Sequence, residues 1–329
     1  MESTRSRIIN FLSENQDTYV SGQDISNELE ISRSAIWKHM KELEKDGYVI
    51  EARPNKGYRI IESPSKVSEN TLQWGLSTEW LGKSIIHKES TSSTQIIAHK
   101  LAMENAEHGT VVIANEQTAG KGRLNREWHS AKYKGIWLSL VLRPNILPNL
   151  APQLTLLCAT VLATVLKEEL NLDPKIKWPN DIMLEDKKVA GILTEMQAEQ
   201  DKINYIVIGI GMNVNHDMKD LPNDIQYRAT SLKLQSGKEW DITKLIQSIL
   251  ERFESTYMEY MQNGFSTIKE IWESYGYRIG EKMHIKMFKE VKKAILVGIA
   301  EDGALLAQYE DGLVNKVFSG EIEWFSKTE

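Results

Sequence analysis

Apolar positions recur at helical spacing three times in the first 45 residues and then switch to alternation. Ile8, Ile9, Phe11 and Leu12 mark a first helix, with Ser3 as its candidate cap and an end near Asn15. Ser21, three residues before Asp24, caps a short helix through Leu29 that stops at Glu30 and Ile31. Ser32 caps a longer helix that buries Ile36, Met40 and Leu43 and closes at Gly47. Residues 48–52 and 58–61 then form a hairpin with Arg53, Pro54, Asn55, Lys56 and Gly57 at its tip. Short helix, tight turn, longer helix and hairpin predict a winged helix-turn-helix over residues 1–66.

Farther along, residues 110–114 and 136–142 read as apolar strands, residues 182–184 and 188–193 as a hairpin, and residues 205–214 as a strictly alternating strand. Leu245, Ile246, Ile249, Leu250 and Phe253 make one stripe of an amphipathic helical segment, residues 241–275. From residue 279 onward, short strands separated by Asp302-Gly303 and Asp311-Gly312 predict a small β-barrel. The chain therefore reads as α+β: a winged helix at 1–66, a mixed-sheet domain at 67–278 and a barrel at 279–329, with residues 63–70 as a polar linker.

The 329 residues are 26% charged and contain no apolar run approaching the roughly 18 residues of a membrane span, so no membrane partner is expected. The N-terminus lacks a signal-type apolar core, which predicts a cytoplasmic protein. The single cysteine, Cys158, stands in an apolar helix-like run and reads as a buried small residue. Net charge is −6, so binding to nucleic acid requires a local patch. Such a patch exists: Arg33, Ser34, Trp37, Lys38 and Lys41 share the outer side of the third helix, and Arg53 and Lys56 lie on the wing. Those are the parts that meet major groove and backbone in this motif, although a scaffold that only contacts protein shares the pattern.

The most chemical segment is Gly120-Lys121-Gly122-Arg123-Leu124-Asn125-Arg126, a loop with three cations between two strands. It lacks the third glycine and following helix of a dinucleotide fingerprint, and no phosphate-binding P-loop motif occurs in the chain. Ser92, Ser93, Thr94 and Gln95 open a helix, where they serve as a cap or suit a neutral polar ligand head. Lys177-Trp178-Pro179-Asn180-Asp181 forms a corner before the hairpin that carries Lys188, and two lysines beside a carboxylate can clamp a phosphoryl oxygen. Gly209, Gly211 and Asn213 share one strand face, and Gly191 repeats the bare position on the hairpin. A flat ligand lying on the sheet accounts for all three glycines, as does tight packing.

The glycine-cation loop, Lys177–Asp181 and Lys188-Val189-Ala190-Gly191-Ile192-Leu193, in this order behind a winged helix, resemble the biotin protein ligases of the bifunctional bacterial kind that also repress the biotin operon. The likeness covers essentially the whole chain. It implies a central biotin/lipoate-ligase fold, an SH3-like last domain, biotin as substrate, and ATP with Mg2+ as co-substrate. It implies Ser93, Thr94, Gln95, Gln117, Gly120, Lys121, Gly191, Leu193 and Gly209 at biotin. Lys121, Gly122, Arg123, Trp128, Asn180, Lys188, Gly211 and Asn213 would hold the adenylate, with Trp128 against the adenine. Lys188, Arg123, Asp181 and Lys177 would serve catalysis, with no resident metal. Lys121 stands where many members have Arg, and Leu124-Asn125 replaces a more basic or glycine-bearing pair. Implied partners are a biotin carboxyl carrier, operator DNA and, with adenylate bound, a second copy of the chain. A biotin sensor without catalysis, a ligase without DNA binding and a lipoate or octanoate transferase are the competing readings.

Overall fold

A computed structural model describes residues 4–13, 15, 18–54, 56–62, 67–287 and 290–324. Helices α1 (Thr4–Ser13), α2 (Gly22–Leu29) and α3 (Arg33–Lys45) and the hairpin β1 (Val49–Arg53) and β2 (Gly57–Glu62) build the winged helix. Ser21 and Ser32 cap α2 and α3, accepting from Asp24 and Ala35 backbone N–H, and Glu30 ends α2 in the left-handed conformation. Ile8, Ile9, Leu12, Ile25, Ile36, Met40 and Leu43 close this small core. The candidate cap Ser3 and wing residue Asn55 fall outside the described residues.

The expected linker is only partly described: residues 63–66 lie outside the described set, and the remainder departs from expectation. Ser68 forms a capping box with Thr71 and starts α4 (Glu69–Gln73), so the chain re-enters helix at once.

The central sheet collects β3 (Ile85–Lys88), β4 (Thr110–Ala114), β7 (Gly135–Leu142), β8 (Lys175–Lys177), β9 (Asp181–Leu184), β10 (Lys187–Glu199) and β11 (Lys202–Asn213) in the order β3-β4-β7-β11-β10-β9-β8. Only β3 and β4 pair in parallel, which makes the sheet mixed. One face carries Ile136, Leu138, Leu140, Ile192, Ile208 and Ile210, buried with α6 (Ala151–Glu168), α8 (Ile242–Asn263) and α9 (Ser266–Tyr275) in the main core. By length and composition α6 and its lead-in could cross a bilayer, which corrects the expectation that no such run exists. It is a core helix instead, with 72% of that window buried. Cys158 is fully buried on it.

The opposite face is only half covered. Helix α5 (Thr94–Met103) packs Ala98 and Ala102 against Val112, Val141, Tyr205 and Val207. Beyond α5, Gly191, Leu193, Gly209 and Gly211 are left to the segment following β4. That segment, expected as a loop, is an antiparallel hairpin of β5 (Gln117–Lys121) and β6 (Glu127–Ser130) joined by a 3-10 turn at Arg123–Asn125. Leu124 and Asn125 adopt left-handed φ of 57° and 58° there, as a tight reversal requires.

The last domain is an antiparallel sheet of β12 (Lys282–Met287), β13 (Glu290–Ile299), β14 (Leu305–Gln308), β15 (Val314–Val317) and β16 (Glu321–Trp324), ordered β15-β14-β13-β12-β16.

Candidate active site

Alternation along β10 and β11 places Gly191 opposite Gly211, and Leu193 opposite Gly209, on the face that α5 leaves open. A side chain at any of these glycines would collide with something specific. A methyl at Gly209 would stand 2.6 Å from Gln95 Oε1, and one at Gly211 would stand 2.6 Å from the Trp128 ring. At Gly191 it would stand 3.0 Å from the same indole and 3.1 Å from Lys188 Nζ. The flat group lying on this surface is thus the indole of Trp128, not only the expected ligand. Register explains how it gets there: Trp128 pairs with Gly120, where a Cβ would come within 2.4 Å of the Trp128 carbonyl oxygen.

Cations gather along one side. Lys188 Nζ lies 2.7 Å from Asp181 Oδ1 and 5.0 Å from the centre of the Trp128 ring. Arg123 reaches across from the hairpin and donates to Asn180 Oδ1 at 3.2 Å. Burial depresses its pKa, opposed by the Asp181 and Glu321 charges. Lys177 is likewise depressed by burial, with Asp181 acting against the shift and Lys188 reinforcing it, and its ammonium sits 5.2 Å from the Trp324 ring centre. Two cations held partly out of water beside one carboxylate form a ready anion site. Asn180 fixes the corner by donating to the Ile192 carbonyl at 2.8 Å and accepting from the Ile192 N–H at 2.9 Å.

Polar groups converge at the start of α5. Ser93, Thr94 and Gln95 are all buried, and Ser93 holds the N-cap position without a side-chain cap bond. Gln117 Oε1 accepts from Thr94 N–H at 2.8 Å, and Gln117 Nε2 donates to Ser130 Oγ at 2.9 Å. Gln95 is committed to protein partners, Glu195 at 2.9 Å and Ser139 at 3.0 Å.

The structure turns Lys121 away from this cluster, while Asn213 keeps the strand face of Gly209 and Gly211. Lys121 is exposed while its neighbour Gly120 is buried, because alternation along β5 turns them to opposite sides of the hairpin. Asn213 donates to the Thr230 carbonyl at 3.0 Å and so secures the segment that follows the sheet. Gly122 serves the hairpin turn, its N–H donating to the Arg126 carbonyl at 2.7 Å. Sequence reasoning missed Ser139, Ser130, Glu195 and the last domain's Glu321 and Trp324. Glu321 pairs with Arg126 of the hairpin, and the Trp178 indole donates to the Gly303 carbonyl at 3.3 Å, so this domain touches both the hairpin and the Lys177–Asp181 corner. Spacing within one strand carries no sign of such contacts.

Residues 87–213 match the profile of the biotin/lipoate A/B protein ligase family, residues 4–59 an HTH domain, and residues 279–324 the biotin protein ligase C terminal domain. The chain is 45% identical over 324 residues to the bifunctional ligase/repressor BirA of Bacillus spizizenii, covering 98% of this chain and 99% of that protein. The chain belongs to the bifunctional biotin ligase/repressor family. Its activity is ATP-dependent ligation of biotin to protein, coupled to a DNA-binding repressor module, which sets aside the sensor and lipoate readings. It is also 30% identical to a biotin–[acetyl-CoA-carboxylase] ligase of Paracoccus denitrificans, over 66% of this chain and 90% of that one. The biotin protein ligase of Aquifex aeolicus in complex with biotin and ATP superposes with a TM-score of 0.65 at 32% identity, covering 73% of this chain and 98% of that one.

On the winged helix, Arg33, Ser34, Lys38 and Lys56 are exposed, and Trp37 is 57% exposed, outside the core edge. Lys41 pairs with Glu44 at 2.6 Å. Arg53 pairs with Glu51 at 2.8 Å and stacks 4.8 Å above Tyr19. Exposed pairs of this kind contribute little to stability.

Proposed function

We infer that the glycine-bared face of β10 and β11 carries the biotin rings, with Thr94, Ser93 and Gln117 at the ureido head and the cluster of Lys188, Arg123 and Lys177 at the reacting anions. The observation that carries this reading is the meeting, over a few ångströms, of Gly191, Lys188, Asp181 and the Trp128 indole. In the first half-reaction a biotin carboxylate oxygen attacks the α-phosphorus of ATP, forming the acyl-phosphate bond and releasing pyrophosphate. In the second, a lysine amine of a biotin carboxyl carrier attacks the acyl carbon, the C–O bond breaks, and AMP leaves with the electron pair.

No enzyme nucleophile is needed, so the chain's task is to position two anions and offset their repulsion. Lys188 and Arg123 would bridge carboxylate and α-phosphate, with Lys177 behind them. Partial burial strengthens each charge interaction in the transition state. Asp181, held by Lys188, is placed to orient a cation or an amine. Asp181 would be the protein ligand of a magnesium ion brought in with ATP, which would supply neutralisation of phosphate charge; one carboxylate beside a phosphate site fits that ion's habit of binding through few protein ligands.

Because the indole of Trp128 rests on the surface assigned to the ligand, binding must lift it. The hairpin would then close over the product, with Trp128 against adenine, and shield the mixed anhydride from water. The adenylate-bound form would pair with a second copy, so that two α3 helices reach two operator half-sites. Use of ATP as co-substrate supports a cytoplasmic location. The reading is tested by biotin-dependent exchange of pyrophosphate into ATP. Lys188→Ala should lower the rate by about a hundredfold, in line with removal of one preorganised charge contact, and an unchanged rate would refute the assignment.

A further inference from the structure

The Gln95 carboxamide has a fixed sense. Its Nε2 faces three acceptors, Glu195 Oε2 at 2.9 Å, Val207 O at 3.3 Å and Leu193 O at 3.5 Å. Its Oε1 therefore faces Ser139, whose hydroxyl donates to it at 3.0 Å. A serine has one proton, and this one is committed. The 2.9 Å contact between Ser139 Oγ and Thr94 Oγ1 can then be made only by the Thr94 proton. Gln117 Oε1 accepts from Thr94 N–H at 2.8 Å and also lies 3.2 Å from Thr94 Oγ1, a longer contact than the 2.9 Å to Ser139, so the Thr94 hydroxyl proton goes to Ser139. Thr94 Oγ1 is left with lone pairs alone for anything that enters the pocket.

We propose that Glu195, on the surface of the sheet, is a positioning residue that sets the hydrogen-bonding sense of the chain Glu195–Gln95–Ser139–Thr94, and so selects a ligand head that presents an N–H to Thr94. This rests on the biotin-pocket reading above and adds to it a specificity residue outside the pocket. Glu195 suits the task because a carboxylate accepts and never donates when ionised. Its Oε2 is also held, at 3.1 Å, by His99 Nε2, whose other ring nitrogen lies 3.5 Å from the Tyr205 hydroxyl. Burial supports the relay, since Gln95, Ser139 and Thr94 are all shielded from water that would scramble their protons.

The test replaces Glu195 by a side chain without an acceptor. Glu195→Lys leaves only donors beside Gln95 Nε2, whereas Glu195→Gln keeps shape and an amide oxygen that still accepts. The side chain is half-exposed, so neither change threatens the core. Pyrophosphate exchange is measured with biotin and with the two cyclic carbamate analogues, each carrying oxygen in place of one ureido N–H. The wild type should reject one carbamate strongly, because a site built around an N–H leaves its acceptor unpaired without it. In Glu195→Lys the biotin KM should rise about tenfold, as for one weakened hydrogen bond, with kcat and the ATP KM unchanged. Rejection of that carbamate should relax by a similar factor, and Glu195→Gln should restore much of both. A Lys variant with wild-type biotin KM and wild-type discrimination, or one that loses kcat instead, overturns the relay. Thr94→Val separates the two claims: an unaltered biotin KM there would overturn the pocket itself, whereas a raised one beside a neutral Glu195→Lys overturns the relay alone.

Discussion

At the residue scale Gly209 is closely constrained, because the Gln95 carboxamide oxygen would sit 2.6 Å from any added methyl. Gly209→Ala should displace Gln95 and raise the biotin KM at least about tenfold, the scale of overpacking a tight contact. Exchange kinetics at varied biotin check this, and an unchanged KM would contradict it. His216 offers a second residue-scale test. It is fully buried, and burial pushes its pKa down to about 4 from the usual 6.5. Between those values the unfolded chain takes up a proton that the folded chain refuses, so stability falls as pH drops through that window. The slope is at most about 1.4 kcal/mol per pH unit. Thermal melts at pH 7 and pH 5 should show the loss, and His216→Leu should flatten it; an equal loss in that variant would contradict the assignment. The glycines were legible in the sequence because alternation has a period of two, so a repeated absence of side chain on one face stands out. Ser139 was not, because one serine inside an apolar strand has no pattern to distinguish it.

The β5–β6 hairpin is the element on which the chemistry turns. Its cations were visible in the sequence, but their directions were not: reading the segment as a loop put Lys121 beside Arg123, whereas strand alternation turns Lys121 out to solvent and leaves Arg123 reaching Asn180. The family resemblance alone set Trp128 against adenine, whereas its place on Gly191 and Gly211 depends on pairing with Gly120, which the sequence does not display. Arg126 ties the hairpin to Glu321 of the last domain, so lifting the hairpin off the sheet would separate at least this one exposed ion pair. Such a pair is weak, which suits an element that must move. Arg123→Ala should leave adenylate formation partly intact and shorten the life of bound adenylate by about tenfold, as for loss of one charged contact. A stopped-flow chase of preformed adenylate measures this, and a dissociation rate equal to wild type would contradict it.

Across the whole molecule, α4 is the joint between reader and catalyst. Its Leu72 is buried in the main core, while Trp74 directly after it packs on the winged-helix core. Helix α8 holds that joint from below. Gln247 donates to the Leu72 carbonyl at 2.9 Å, Glu251 accepts from Ser77 N–H at 2.9 Å, and Glu254 accepts from the N–H groups of Glu79, Trp80 and Leu81 at 2.6, 2.9 and 2.7 Å. The capping signals of the winged helix were legible because they are local. The joint was not, since its partners lie more than 170 residues apart. One bound adenylate, made with the help of Lys188, should serve both ligation and repression. Operator DNA is titrated with wild type and Lys188→Ala, each with biotin plus ATP. Wild type should tighten by about 5- to 150-fold, the usual range of allosteric coupling. Lys188→Ala should stay at its unliganded affinity until presynthesised biotinyl-adenylate is added. A Lys188→Ala protein that tightens on operator with biotin and ATP as wild type does would show that one adenylate made at Lys188 does not serve both roles.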